Sequence, residues 1–112
     1  MRMWMVNPRL MCGKHLLGEH VECHMLAGSL RKGKSIQGFI ARNLLEPQNL
    51  KSRHQALASE MTNRGFNHKS ELAPYAMGEH HIGSVDVDHS LKELAARCHN
   101  CAAIIGAKND LV

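Results

Sequence analysis

A chain of 112 residues, 44% of them hydrophobic, is long enough to bury a core without disulfide or metal staples and leaves no room for a second domain, so one domain over 1–112 is expected. Fourteen Lys and Arg against ten Asp and Glu give a net charge of +4, and nine histidines add to it wherever phosphate raises their proton affinity. That balance favours a polyanionic partner. No apolar run approaches the roughly 20 residues that cross a bilayer, which excludes membrane insertion.

The lead MRMWMV ends at Asn7-Pro8-Arg9, too short for a signal peptide, and Cys12, Cys23, Cys98 and Cys101 are not spaced as a secreted disulfide framework. A reducing cytoplasm follows as the expectation. Asn7 can cap a helix and Pro8 suits its first position, where no hydrogen bond is lost, so helix one is predicted from near Pro8 to about residue 26. On it His15, Glu19 and Glu22 fall within roughly 60° of one another and predict a polar stripe. Leu10, Leu16, Leu17, Val21 and Met25 spread over most of the remaining circumference, which predicts a central helix packed on more than one side. Gly13 and Gly18 each cost about 1 kcal/mol of helix propensity, a loss explained if other backbone approaches closely there.

Gly28 to Gly38, GSLRKGKSIQG, reads as a loop whose cations Arg31, Lys32 and Lys34 suit phosphate contacts. Residues 39–46 hold at most a turn of helix. Glu46-Pro47 then opens helix two, with Leu50, Leu57 and Met61 as its apolar positions and Gly65 as its left-handed stop after Arg64. Lys51, Arg53, His54 and Arg64 are expected on its exposed side. Residues 65–84 lack a sustained period and read as a connection crossing the surface. Asp86 or Asp88 caps helix three, whose stripe is Leu91, Leu94, Ala95 and Cys98, with another turn over 101–105 ended by Gly106 and a frayed end beyond. The reading is all-α: a small single domain of about three helices with the N-terminal segment packed against the central one.

Two half-sites could hold zinc, His20 with His24 at i, i+4 and the pair Cys98-x-x-Cys101, and four ligands would require the two to unite. Cys12 and Cys23 read as inert thiols inside a packed helix. A stronger pairing is the chain start with Glu22. An α-amine ordinarily titrates at about 7.7–8.0, so a useful fraction is a neutral nucleophile near pH 7. Arg2 is too large for removal of the initiator residue, so that amine belongs to Met1. Trp4, Met3 and Met5 are expected to pack the lead against the helices and fix the amine beside Glu22.

Arg2 at the terminus, HLLGEHVE at 15–22, the cations Arg31-Lys32 with Gly33-Lys34, and RHQALASEMTNRGFNHKS at 53–70 occur here in that order. Over roughly residues 1–70 the chain resembles the pyrimidine-dimer DNA glycosylase (bacteriophage endonuclease V-like) family, and within it the short bacterial members with a similar MRMWMV lead and a late CxxC. The resemblance implies an N-terminal amine that attacks the anomeric carbon of a damaged nucleotide, expels the base and forms an imine, with chain breakage by β-elimination. It assigns the amine to Met1, the essential carboxylate to Glu22, and DNA contact to Arg2 and His15, without a metal or other cofactor. A carboxylate suits the cationic sugar of such a reaction, and covalent capture divides one hard step into two.

Where the phage enzyme carries two further helix arginines this chain has Val21 and Met25, its basic loop is shorter, and none of its four aromatic residues (Trp4, Phe39, Phe66, Tyr75) lies beyond 75. Base stacking is worth about 1–3 kcal/mol, so the resemblance carries the lyase chemistry further than recognition of a dimer. The expected function is therefore a DNA repair glycosylase with abasic-site lyase activity. It would act as a cytoplasmic, nucleoid-associated monomer on damaged double-stranded DNA, with Arg31, Lys32 and Lys34 on phosphates. The alternatives are a non-catalytic helical DNA-binding module and a zinc-stabilised interaction domain.

Overall fold

Residues 1–7 run as a lead laid into a groove of the helical body, and their burial explains why they hold their course. Met3, Trp4 and Val6 are buried, and the Met3 N–H donates to the Leu44 carbonyl at 2.8 Å. Between them Met5 adopts φ 59, a left-handed conformation that a non-glycine residue keeps only where its surroundings over-determine it. They do so here, because the Val6 carbonyl accepts from the Arg53 guanidinium at 2.6 Å. The computed structural model describes residues 1–68, 70–78 and 81–109, the side chains of 108 and 109 excepted.

The Asn7 cap forms as predicted, its side chain accepting from the Arg9 N–H at 3.0 Å, but it caps only a 3-10 turn, Pro8–Leu10. The chain then straightens at Met11 and Cys12, and α1 (Gly13–Arg31) starts five residues later than the sequence suggests, with Cys12 as its N-cap. Burial of Met11 decides this: its fully buried side chain pulls the chain out of helical phase. At its far end α1 closes on Gly33 at φ 70, with Gly33 N–H to Leu30 and Lys34 N–H to Ser29, the paired bonds that satisfy orphan carbonyls at a left-handed stop.

A short α2 (Gln37–Ala41) and a second 3-10 turn (Pro47–Asn49) lead into α3 (Leu50–Asn63), which ends at Gly65 as expected, at φ 85. After the connection, pinned where Gln48 brackets Gly83 through its side-chain amide, Asp86 caps α4 (Val87–Arg97) by accepting from the His89 N–H. The chain breaks at Cys98 and resumes as α5 (His99–Asn109). The single third helix of the sequence reading is thus two, and the described residues form five α-helices rather than about three. Helix also runs through Gly106 to Asn109, where a stop and a frayed end were expected; residues 110–112 of that expectation lie outside the described residues.

All-α is the class, with no strand among the described residues and no described helix long and apolar enough to cross a membrane. α1 packs chiefly on α3, and α4 on α5, while one hydrophobic cluster runs from Met3 in the lead through Leu16, Leu57 and Leu94 to Cys101.

Four sequence expectations about faces are corrected. Leu17, Val21 and Met25 are 43%, 56% and 52% exposed, so α1 is buried on one broad side, through Leu16, Glu19, His20, Cys23, Leu26, Ala27 and Leu30. Glu19, assigned to a polar stripe, is 1% exposed. Arg53 and His54, assigned to the exposed side of helix two, are buried against α1, because each finds a polar partner there that a composition-based reading cannot anticipate. Gly13 faces the Phe66 ring, 3.4 Å from where a Cβ would sit, rather than another backbone, and Gly18 faces open space.

Candidate active site

The lead and α1 meet at Glu22. Its carboxyl is half-buried, and burial raises its pKa above the ordinary value, opposed by the charge of the terminal amine and by the backbone N–H of Arg2, which bonds the carboxylate. The chain start and Glu22 are therefore electrostatic neighbours. Helix phase puts His15 on the same flank of α1, two turns or about 10 Å nearer the N-terminus. Its ring meets Trp4 edge-on, with centroids 6.0 Å apart, and its Nδ1 faces sulfur: 3.3 Å to Cys12 Sγ and 3.6 Å to Cys101 Sγ. Burial, with Lys14 nearby, lowers the His15 pKa, which favours the neutral ring, and with Nδ1 turned to the sulfurs Nε2 is the nitrogen left for a phosphate.

Arg2 is held from two sides. Its guanidinium lies 3.7 Å above the Trp4 ring and pairs with Glu93 of α4, whose carboxyl is held below the usual range by that arginine. Contact between Arg2 and DNA would exchange Glu93 for a phosphate. Glu93 was not singled out in the sequence, since nothing in the spacing of residues 2 and 93 announces their meeting. Arg31, Lys32 and Lys34 are exposed at the far end of α1, about 14 Å along the axis from Glu22, so they form a separate basic platform and not part of the carboxylate site. Along one strand of a duplex that separation covers about four nucleotide steps.

Two further clusters were not assembled from the sequence. His20 and His24 do not join the Cys98-x-x-Cys101 pair; they meet His54 of α3 and His68, with ring centroids 4.7–5.0 Å apart about His20 and His24 and His20 Nε2 at 2.9 Å from His68 Nε2. Burial and the neighbouring imidazoles push His20 down to about 4. The cysteine pair instead meets Cys12 and His15. The signal was present as a second spacing, Cys12-x-x-His15, which repeats that of Cys98-x-x-Cys101. Cys12, expected inside a packed helix, instead caps α1, whereas Cys23 lies buried within it, its thiol pushed up to about 12 by burial and by neighbouring Glu19.

The family model for pyrimidine dimer DNA glycosylase matches residues 1–74. The chain belongs to that family. No curated protein and no solved structure matches it significantly. The pyrimidine dimer DNA glycosylase family is a family of DNA repair enzymes, so this chain is an enzyme of DNA repair whose substrate is DNA. Met1, Arg2, His15, Glu22, Arg31, Lys32 and Lys34 all lie inside the matched segment, while α4 and α5, with Glu93, Cys98 and Cys101, lie beyond it. A cleft of about 890 Å³, lined by His54, Glu71, Leu72 and Tyr75 among others, lies between the start of α3 and residues 71–75 and does not include Glu22.

Proposed function

We propose that this glycosylase removes damaged bases, pyrimidine dimers first among them, from double-stranded DNA and then cleaves the strand through an imine on the Met1 α-amine. The observation that carries the reading is the half-buried Glu22 carboxyl lying in the field of the chain's amine. A glycosidic bond breaks toward a cationic sugar, and a carboxylate in a partly desolvated site stabilises that cation more than one in water. The neutral amine attacks C1′, the base departs with the bonding electron pair and takes up a proton, and the sugar ring opens as the amine loses its protons to give the imine. Loss of the C2′ proton then expels the 3′ phosphate, and water releases the amine.

In this scheme Glu22 stabilises the sugar cation and shuttles protons to and from C2′ and the ring oxygen. Arg31, Lys32 and Lys34 hold phosphates, which positions the duplex without reading sequence. Arg2 and the Nε2 of His15 engage phosphate nearer the amine. Such a site is completed by the nucleotide that leaves the stack, so a deep cavity at Glu22 before DNA binds is not required. The chain is read as one domain, acting as a monomer at the cytoplasmic nucleoid.

Borohydride reduction during incubation with abasic-site duplex is the test. A covalent protein–DNA product, absent when the amine is blocked by N-terminal acetylation, is expected, and the same product should form on duplex carrying a pyrimidine dimer. Binding without any trapped product would mean a helical DNA-binding module and end the catalytic reading.

A further inference from the structure

Four ligand atoms from opposite ends of the chain converge where α1 and α5 begin. Cys12 Sγ, His15 Nδ1, Cys98 Sγ and Cys101 Sγ all lie within 4.8 Å of one another, and the four cysteines of the chain are free thiols. Each half is built alike. Cys12 caps α1 and accepts the His15 N–H at 3.5 Å, while Cys98, at the break before α5, accepts the Cys101 N–H at 3.4 Å. The second ligand of each half therefore stands three residues on, in the first helical turn, and both sulfurs sit at helix N-termini, where the backbone dipoles favour negative charge. A further N–H crosses between the halves, from Cys12 to Cys101 Sγ at 3.3 Å.

Three of the six separations match the edges of one tetrahedron. Zinc holds thiolate sulfur at about 2.3 Å and imidazole nitrogen at about 2.0–2.1 Å, so tetrahedral edges are about 3.8 Å between sulfurs and about 3.6 Å between sulfur and nitrogen. Cys12 Sγ lies 3.8 Å from Cys98 Sγ, and His15 Nδ1 lies 3.3 and 3.6 Å from the sulfurs of Cys12 and Cys101. Three thiols and one imidazole turned toward a common centre, with Cys12 and Cys101 6% and 0% exposed, are poorly explained as core packing, since all four present polar or ionisable atoms to each other.

We propose that Cys12, His15, Cys98 and Cys101 bind one zinc ion in a closed structural centre that fastens the start of α1 to the start of α5. Soft sulfur ligands with one imidazole select zinc among the common divalent ions, and four protein ligands leave no position for water or substrate. Binding leaves three thiolates and a neutral His15 on the ion, so the thiol protons pass to the buffer and the centre carries net charge −1, shared by the N–H donors above. His15 ligates through Nδ1, which places its proton on Nε2. The clamp ties the helices beyond the family-matched segment to the matched segment itself, and through α4 it sets Glu93, the partner of Arg2. The proposal stands on this geometry alone and is independent of the chemistry assigned to Met1 and Glu22.

The test uses the full chain, purified without chelator and analysed for metals, then stripped and titrated with cobalt(II). About one zinc per chain that Cys101→Ser removes is expected, and a second zinc retained by Cys101→Ser, on the imidazoles of His20, His54 and His68, leaves that expectation intact. Cobalt should give thiolate charge-transfer absorption and the intense visible bands of tetrahedral coordination. Cys98→His, which keeps four ligands, should retain the metal with weaker charge transfer, so a Cys→Ser variant that fails to fold does not decide the matter. Zinc below about half an equivalent, iron in its place, cobalt bands without thiolate charge transfer, or metal content unchanged by Cys101→Ser would each overturn the assignment.

Discussion

Glu19 and Arg53 form a two-pronged ion pair between α1 and α3, Nε to Oε2 at 2.5 Å and the second guanidinium nitrogen to Oε1 at 2.9 Å, with both side chains shut off from water. The same guanidinium holds the Val6 carbonyl, so one arginine joins α1, α3 and the lead that carries the terminal amine. Removing one partner strands a buried charge: Arg53→Met or Glu19→Gln should lower unfolding free energy by about 3–5 kcal/mol, read from urea midpoints. Glu19→Leu combined with Arg53→Met should recover most of that loss. Equal instability of single and double variants would show that the pair itself is not what matters.

Glu22 yields a prediction in which activity and stability move in opposite directions. Burial raises its pKa, so the folded state disfavours the charged form, and Glu22→Gln should be no less stable than the parent at pH 7.5. Single-turnover cleavage of abasic-site DNA should nevertheless fall by about 10²–10⁴-fold. In the parent, the acid limb of the rate profile should lie above the ordinary carboxylate value of 4.5 and be missing from the residual activity of the variant.

The basic platform at the end of α1 is separable from chemistry. Arg31, Lys32 and Lys34 are exposed, so replacing all three by Ala should leave the melting temperature unchanged. Every phosphate that the variant no longer neutralises should reduce the slope of log affinity against log salt by about 0.9, or nearly 3 for the triple variant. Filter binding at a series of salt concentrations measures it, and an unchanged slope would assign the three cations to solvent alone.

The imidazole cluster makes the fold sensitive to acid. His20, His24 and His54 are lowered by burial first and by neighbouring imidazoles of the cluster second, so the unfolded chain binds protons that the folded chain refuses. Stability from this source is full above about 6.5, falls as pH drops below it, and keeps falling until His20 itself protonates near 4. Urea midpoints at pH 7.5, 6 and 5 should decline in the parent and decline less in His20→Leu, a comparison that separates imidazoles from thiols.

Signals carried within a few residues of one another were legible before any fold was known. Asn7 and Asp86 cap, Gly65 terminates with positive φ, and Pro47 opens a turn, because each depends on backbone conformation and hydrogen bonds that the local chain supplies. The all-α class follows from the same short-range periodicity. What misled was the inference from residue type to side: Glu19, Arg53 and His54 look like surface residues, and Leu17, Val21 and Met25 look like core.

Burial of a charge depends on whether a partner from a distant segment arrives to neutralise it, and no window of sequence contains that partner. Arg53 lies 34 residues from Glu19, Glu93 lies 91 from Arg2, and Cys101 lies 89 from Cys12. The resemblance named Glu22, but its burial and the Arg2 N–H against it arise from how the lead is laid across α1. Residue types and spacings thus stated which chemistries the chain could hold, while packing chose the groupings, since only packing sets the distances and the exclusion of water on which charge and coordination depend.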